Sequence, residues 1–398
     1  MEIPMSQNTE NLMKKLAGLV IFSSMKSDPA VTALTDYFKY SGANDPCAAA
    51  EKYADFTRTV ISAGGDFSEY LCRLILTDDN VFIRKYFAGD CDALMSQLKY
   101  ELDVLYTLAH SLPVDPVEDV VFPKIKASHI SFREEYLKAL PDAAKRGVGV
   151  FSKSYMFKLD SKGEFVPVNA YKTQRLSGLV GYDRERRRIV ENTESLMAGK
   201  PSANALLYGD AGTGKSTTVK AIAAEFANEG LRLIELDTAQ ISAIPDIIKM
   251  ISQEPLKFIL FIDDLTVSPD SPELSTLKTV LEGGAGTDRS NCVIYVTSNH
   301  RHLVKENAAD RSGEVNVRDN LQSVLGLSAR FGLAVTFLAP DKLLYLDIVK
   351  SLAKDHGVEI TDNLLTDAEA FAIRRSGRTP RLAKQFVELI AAGIDPIK

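Results

Sequence analysis

The octapeptide GDAGTGKS, Gly209 to Ser216, follows the strand-like run NALLY and precedes TTVKAIAAEFAN, whose apolar residues recur at helical spacing. The string satisfies G-x-x-x-x-G-K-[ST], and each part has a chemical reason. Glycines let the backbone curl until its N–H groups point inward at phosphate oxygens. The lysine reaches the terminal phosphates, and the hydroxyl after it ligates a magnesium ion. On this reading Gly209, Asp210, Ala211, Gly212, Thr213, Gly214, Lys215, Ser216 and Thr217 contact ATP, and Ser216 also contacts Mg2+.

Downstream, KFILFIDDL (Lys257 to Leu265) runs apolar and then stops on two adjacent carboxylates, Asp263 and Asp264. An unpaired carboxylate at the end of a buried strand is costly, so a metal or a polar partner is expected there. Strands of a sheet with a phosphate loop end at the same ligand-binding edge. Asp263 is therefore expected to orient the Mg2+ water shell, and Asp264 to polarise an attacking water. The run VIYVTSN ends on Asn299, whose amide donates and accepts at once and suits placing that water against Asp264. Arg330 lies in LSARFGL just before the strand-like AVTFLA, and GRTPRLAKQFVELI opens an amphipathic helix with Arg378 and Arg381. Arginine suits stabilisation of charge on a transferring phosphoryl group, in cis or from a neighbour. Position alone does not separate that role from a surface salt bridge.

From about Leu176 onward, short apolar strands alternate with helical segments: NALLYG, LRLIELD, KFILFID, CVIYVTSN and AVTFLA. That alternation predicts an α/β core with a five-stranded parallel sheet and crossover helices over 176–339, followed by a small helical lid over 340–398. Residues 1–145 space their apolar positions at three and four and predict a mainly helical N-terminal domain, either for recognising a partner protein or substrate or as a packing appendage. Between them, 146–175 carries the alternating KSYMFKLDSKGEFVPVN and predicts a hairpin or an extended linker.

Composition narrows the class. A net charge of −6 argues against a chain whose main work is coating nucleic acid, although a local basic patch for nucleic acid is not excluded. No apolar run approaches the ~20 residues that span a bilayer, and KKLAGLVIFSSM with acids at Glu2 and Glu10 reads as an amphipathic helix in a cytoplasmic protein rather than a secretory leader. The four cysteines form no closely spaced pair and read as small buried hydrophobes in a reducing compartment. RERRR, Arg184 to Arg188, is interleaved with acids and reads as a solvated helix face. His300 and His302 have no third ligand nearby, so no metal is assigned to them.

In order, the phosphate loop, the acidic strand, the Asn-tipped strand, the arginine before the fifth strand and the arginine opening a late helix resemble the AAA+ P-loop ATPases over about Leu176 to Lys398. More narrowly, GLVGYDRERRRIVENTESLMAGKPSANALLYGDAGTGKSTTVK, LRLIELD, FILFIDDL, LKTVLEGG, VIYVTSNHRHLVKE and LSARFGL resemble the bacterial AAA+ group known as domain of unknown function 815. The resemblance implies an Mg2+-dependent ATPase acting as a homo-oligomeric ring or partial ring. Asn299 would be sensor 1, Arg330 an arginine finger reaching a neighbouring subunit's nucleotide, and Arg381, or alternatively Arg378, the sensor 2 arginine. Val180, Gly181 and Tyr182 would contact adenine. ATP turnover would then remodel or load a partner protein or protein–nucleic-acid complex. The alternative is an ATP-gated switch, or a loader-like DNA-associated protein, with slow hydrolysis.

Overall fold

In the computed structural model, residues 7–43, 45–114, 116–169, 174–266, 271–282, 291–299, 328–375 and 377–397 are described. His300 and His302 lie outside them. The chain divides into two compact units, Met1–Ser152 and Lys153–Lys398.

The first unit is helical, and several of its helices start where short polar side chains satisfy their free N–H groups. Asp28 caps Pro29–Gly42, Asp45 caps Pro46–Ser62, Asp66 caps Phe67–Thr77 and Asn80 caps Val81–Phe87. Phe22, Phe56, Phe67 and Phe82 are fully buried at its centre. The stretch read as one amphipathic helix, KKLAGLVIFSSM, is broken: the α-helix ends at Ala17 and a separate short 3-10 helix runs Ser23–Ser27. Between the two, the buried Glu101 carboxylate accepts the N–H groups of Val20 (2.9 Å), Ile21 (3.1 Å) and Phe22 (2.9 Å), so those donors turn away from a helical ladder.

The second unit is built on a seven-stranded sheet of β1 (Met156–Leu159), β2 (Phe165–Pro167), β3 (Ala205–Gly209), β4 (Leu231–Leu236), β5 (Lys257–Ile262), β6 (Cys292–Ser298) and β7 (Leu333–Phe337). Its order is β2-β1-β4-β5-β6-β3-β7. The five expected strands form one contiguous parallel block, and the expectation of five is corrected by the hairpin. β1 pairs parallel with β4 and carries β2 antiparallel at the edge. The hairpin closes where the Asp160 carboxylate accepts from the N–H groups of Lys162 and Glu164.

β5 is apolar because both of its faces are covered: Phe258 to Ile262 are fully buried. The lid consists of helices Lys342–Asp355, Asp362–Arg374 and Pro380–Ala391, packed through Tyr345, Val349, Phe371 and Phe386. Among the described residues no helix is long and apolar enough to cross a membrane. All four cysteines are free thiols, yet only Cys292 is buried; Cys47 is exposed, and Cys72 and Cys91 are half-buried, which corrects the reading of all four as core residues.

Candidate functional site

β3 runs straight into the glycine loop. Gly209 has φ 130°, and a Cβ there would fall 2.2 Å from the Phe337 carbonyl oxygen of β7, so only glycine lets the loop leave the sheet at this point. The Asp210 N–H donates to that same carbonyl at 2.9 Å, and the Asp210 carboxylate accepts from Ala339 N–H at 2.6 Å. Thr213 closes the loop by donating its hydroxyl to the Asp210 carbonyl at 2.8 Å. Gly214, at φ 93°, precedes the helix Lys215–Glu225, whose N-terminus aims its free N–H groups and positive dipole end at the loop.

Lys215 is buried, and its ammonium donates to the carbonyls of Gly209 (2.9 Å) and Asp210 (2.8 Å) and to Asn299 Oδ1 (3.1 Å). Burial lowers its pKa; Asp264, Asp210 and Asp263 act in the opposite direction, and Arg381 adds to the lowering.

The two acids have different surroundings. Register between β5 and β6 pairs Ile262 with Val296, which brings Asp263 beside Thr297. Asp263 is half-buried, and its Oδ1 accepts from the hydroxyls of Ser216 (2.5 Å) and Thr297 (2.5 Å). Asp264 is exposed, with φ 49°, a left-handed conformation that costs a non-glycine residue about 1–2 kcal/mol. Its N–H donates to Thr297 Oγ1 at 2.8 Å, and its carboxylate accepts from Asn299 Nδ2 at 2.8 Å. Asn299 thus bridges Lys215 and Asp264. Neither acid caps the following helix, Pro272–Leu281, whose cap is Ser271.

A cavity of about 760 Å³ runs from these acids to the lid. Gly212, Thr213, Gly214, Lys215, Ser216 and Thr217 form its floor, Asp263, Asp264 and Asn299 one side, and Arg381 and Lys384 the lid side. Arg381 sits on the loop itself: its N–H donates to the Gly212 carbonyl at 3.3 Å. Ala211 is exposed. At the far end lie Leu179 and Val180. Gly181 packs under the lid, where a Cβ would fall 2.5 Å from Leu344 Cδ1. Tyr182 is buried behind that wall and donates its hydroxyl to the Leu338 carbonyl at 2.7 Å, and burial pushes its pKa up to about 12.

Two sequence-predicted arginines stand elsewhere. Arg378 is engaged inside the lid, donating to Glu369 at 2.6 Å beside Lys342, so of the two alternatives Arg381 is the one at the cavity. Arg330 donates through Nε to Glu282 at 2.5 Å and does not line the cavity. The solvated reading of RERRR also changes. Arg186 is half-buried and holds the carbonyls of Leu179 (2.6 Å) and Val180 (3.2 Å), while Arg188 donates to the Ala334 carbonyl of β7 at 3.2 Å. Thr297 and Arg186 are the residues that sequence reading missed. Thr297 had a signal, since it lies two positions before Asn299 and so shares its strand face.

The site fits a polyphosphate with its magnesium ion. A Cβ at Gly212 would fall 3.3 Å from both Arg381 Cβ and Thr379 Oγ1, so the loop leaves no room for a side chain between itself and the lid. One hydroxyl and one carboxylate converging on a single point suit Mg2+, which takes few protein ligands and keeps several waters.

Residues 152–394 match the family described as Protein of unknown function (DUF815). A 78-residue stretch is 35% identical to the Replication factor C large subunit of Staphylothermus marinus, covering 19% of this chain and 18% of that protein. An 82-residue stretch is 38% identical to its counterpart in Thermofilum pendens, covering 20% and 19%. The chain thus spans less than a fifth of the length of these curated relatives. Among solved structures, the Thermotoga maritima RuvB Holliday junction branch migration motor is similar at 19% identity and TM-score 0.40, covering 58% of this chain and 70% of that one. The Aeropyrum pernix ORC1 protein in complex with DNA is similar at 18% identity and TM-score 0.40, covering 54% and 60%. With more than half of its length matched, and with a phosphate loop set at the edge of a parallel sheet under a helical lid, the chain belongs to the DUF815 family and has the α/β P-loop fold of the AAA+ ATPases.

Proposed function

We propose that this protein is an Mg2+-dependent ATPase that works between subunits of a homo-oligomer and passes the energy of ATP binding and hydrolysis to a partner protein. The observation that carries this reading is the convergence of Lys215, the Ser216–Asp263 pair, the Asp264–Asn299 pair and Arg381 around one cavity. Lys215 and the loop N–H groups hold the terminal phosphates, and Ser216 and Asp263 hold the magnesium ion. When bound, that ion neutralises charge across the β- and γ-phosphate oxygens. Asp264 accepts the proton of the attacking water, which the Asn299 amide orients. Its side chain is one methylene shorter than glutamate, so the bond from Asn299 is part of its reach. Arg381 closes the lid over the phosphates, Val180 walls the adenine with Gly181 and Tyr182 packed behind it, and Arg330 leaves Glu282 to reach a neighbour's nucleotide. The helical unit of residues 1–152 takes the partner.

Steady-state phosphate release tests the assignment. Asp264→Asn keeps ATP affinity within about threefold while turnover falls ~100-fold or more, the range of a lost general base. Unchanged turnover in that variant removes Asp264 from the reaction. Specific activity of the wild type rises with protein concentration as subunits associate. Arg330→Ala abolishes that rise and lowers the plateau by about 1,000-fold. A rate indifferent to both concentration and Arg330 refutes action between subunits.

DNA appears in the descriptions of some similar proteins, but the net charge of −6 favours a protein partner here. Salt-sensitive binding to single-stranded DNA by the wild type would reverse that choice.

A further inference from the structure

Among the described residues, the hydroxyl of Thr297 is the one group hydrogen-bonded to both acids. It donates to Asp263 Oδ1 at 2.5 Å and accepts from the Asp264 N–H at 2.8 Å, and the residue is only 1% exposed. Its own carbonyl accepts from Leu265 N–H at 2.8 Å, and the adjoining Ser298 hydroxyl donates to the Leu265 carbonyl at 3.2 Å. β6 therefore grips the turn after β5 at four points, and two of the four are one oxygen atom.

That grip matters because the turn is unfavourable for its sequence. Asp264 sits at φ 49°, where a residue with a Cβ is crowded, and the bond from its N–H to Thr297 holds it there. Relaxation of that peptide would swing the Asp264 carboxylate away from Asn299, its partner at 2.8 Å. The same loss would free the Asp263 carboxylate to rotate about Ser216.

We propose that Thr297 is a positioning residue that sets both carboxylates at once, Asp263 for the magnesium ion and Asp264 for the attacking water; this role rests on the ATPase reading above. It acts through the acids and touches no reacting atom. Valine has nearly the shape of threonine but lacks the hydroxyl, so Thr297→Val leaves the Asp264 N–H without its partner and takes from Asp263 Oδ1 one of its two donors, the Ser216 hydroxyl being the other.

The test compares full-length wild type, Thr297→Val and Thr297→Ser. Three quantities are read: affinity for a fluorescent ATP analogue in EDTA, the Mg2+ concentration that half-saturates the magnesium-dependent change in that affinity, and kcat with KM. In Thr297→Val, kcat falls about 10- to 100-fold, the scale of a misplaced catalytic group. The Mg2+ requirement rises several-fold, while affinity in EDTA stays within about threefold of wild type, because the phosphate loop is untouched. Serine, which keeps the hydroxyl, restores both quantities. A Thr297→Val protein that melts earlier but keeps wild-type kcat and Mg2+ requirement overturns the proposal, as does failure of serine to rescue. Should the valine variant not fold, Thr297→Cys, similar in bulk and a weak donor, is read in the same way, and wild-type behaviour there overturns it equally. A wild type that binds no nucleotide sinks the ATPase reading and this role with it. Normal wild-type turnover with unaltered Thr297 variants sinks the role alone.

Discussion

Lys215→Ala loses tight ATP binding: the dissociation constant rises by a factor of about 100 to 1,000, equivalent to ~3–4 kcal/mol. The size follows from what the ammonium does in this site. It is buried against carbonyls of its own loop, with Asn299 as a third acceptor, and a bound triphosphate exchanges those neutral acceptors for charged oxygens. Charge-assisted hydrogen bonds contribute about 1.5–3 kcal/mol each, and on the proposed binding mode the lysine would make two of them to the phosphates. Calorimetric titration with ATP and Mg2+ is the measurement. Affinity unchanged in the variant would mean that triphosphate binds elsewhere and that the loop is ornamental. Burial of the ammonium opposes its attraction to Asp264, Asp210 and Asp263, so the variant is expected to unfold about as readily as wild type when no nucleotide is present.

The second large effect is on folding. Gly209→Ala places a methyl group 2.2 Å from the Phe337 carbonyl oxygen in a backbone conformation, φ 130°, that alanine rarely adopts. Backbone, not a flexible side chain, stands in the way, so β3 and β7 must separate at the very point where Asp210 N–H joins them. Strain and overpacking together cost about 3–5 kcal/mol. Gly214→Ala is the internal control, because its φ of 93° is unfavourable while no heavy atom lies within 4 Å of the new Cβ. That variant loses only ~1–2 kcal/mol from strain. Urea denaturation of the two proteins separates clash from conformation, and equal losses would show that the Phe337 contact is not what reserves position 209 for glycine.

The glycine loop was legible in the sequence because its chemistry is local. Eight consecutive residues make the turn, hold the lysine and start the helix, and the flanking strand and helix announce themselves by apolar period. The five core strands were legible for the same reason: a strand covered on both faces is an unbroken apolar run. Partnerships between distant segments were not. Thr297 meets Asp263 only because β5 and β6 pair in a particular register, and nothing in either segment states that register. Local alternation pointed to the hairpin of residues 156–167, but its docking against β4 is a long-range pairing and enlarged the expected sheet from five strands to seven. Arg378 and Arg381 look interchangeable in GRTPRLAK. The lid separates them, because Glu369 takes the first and the helix begun at Pro380 carries the second over Gly212.

The sheet's two margins carry one more consequence. On one side the last strand is β2, three residues long and ending in Pro167, which has no N–H to offer. On the other, Leu333 N–H and the Phe337 carbonyl of β7 face inward, so the carbonyl of Ala334 faces outward, where the Arg188 guanidinium already occupies it. An open sheet with both rims blunted in this way resists edge-to-edge aggregation. On the proposed homo-oligomer, copies of this chain are therefore expected to meet through side chains on helices and loops, and not through strand addition, which would lock them together.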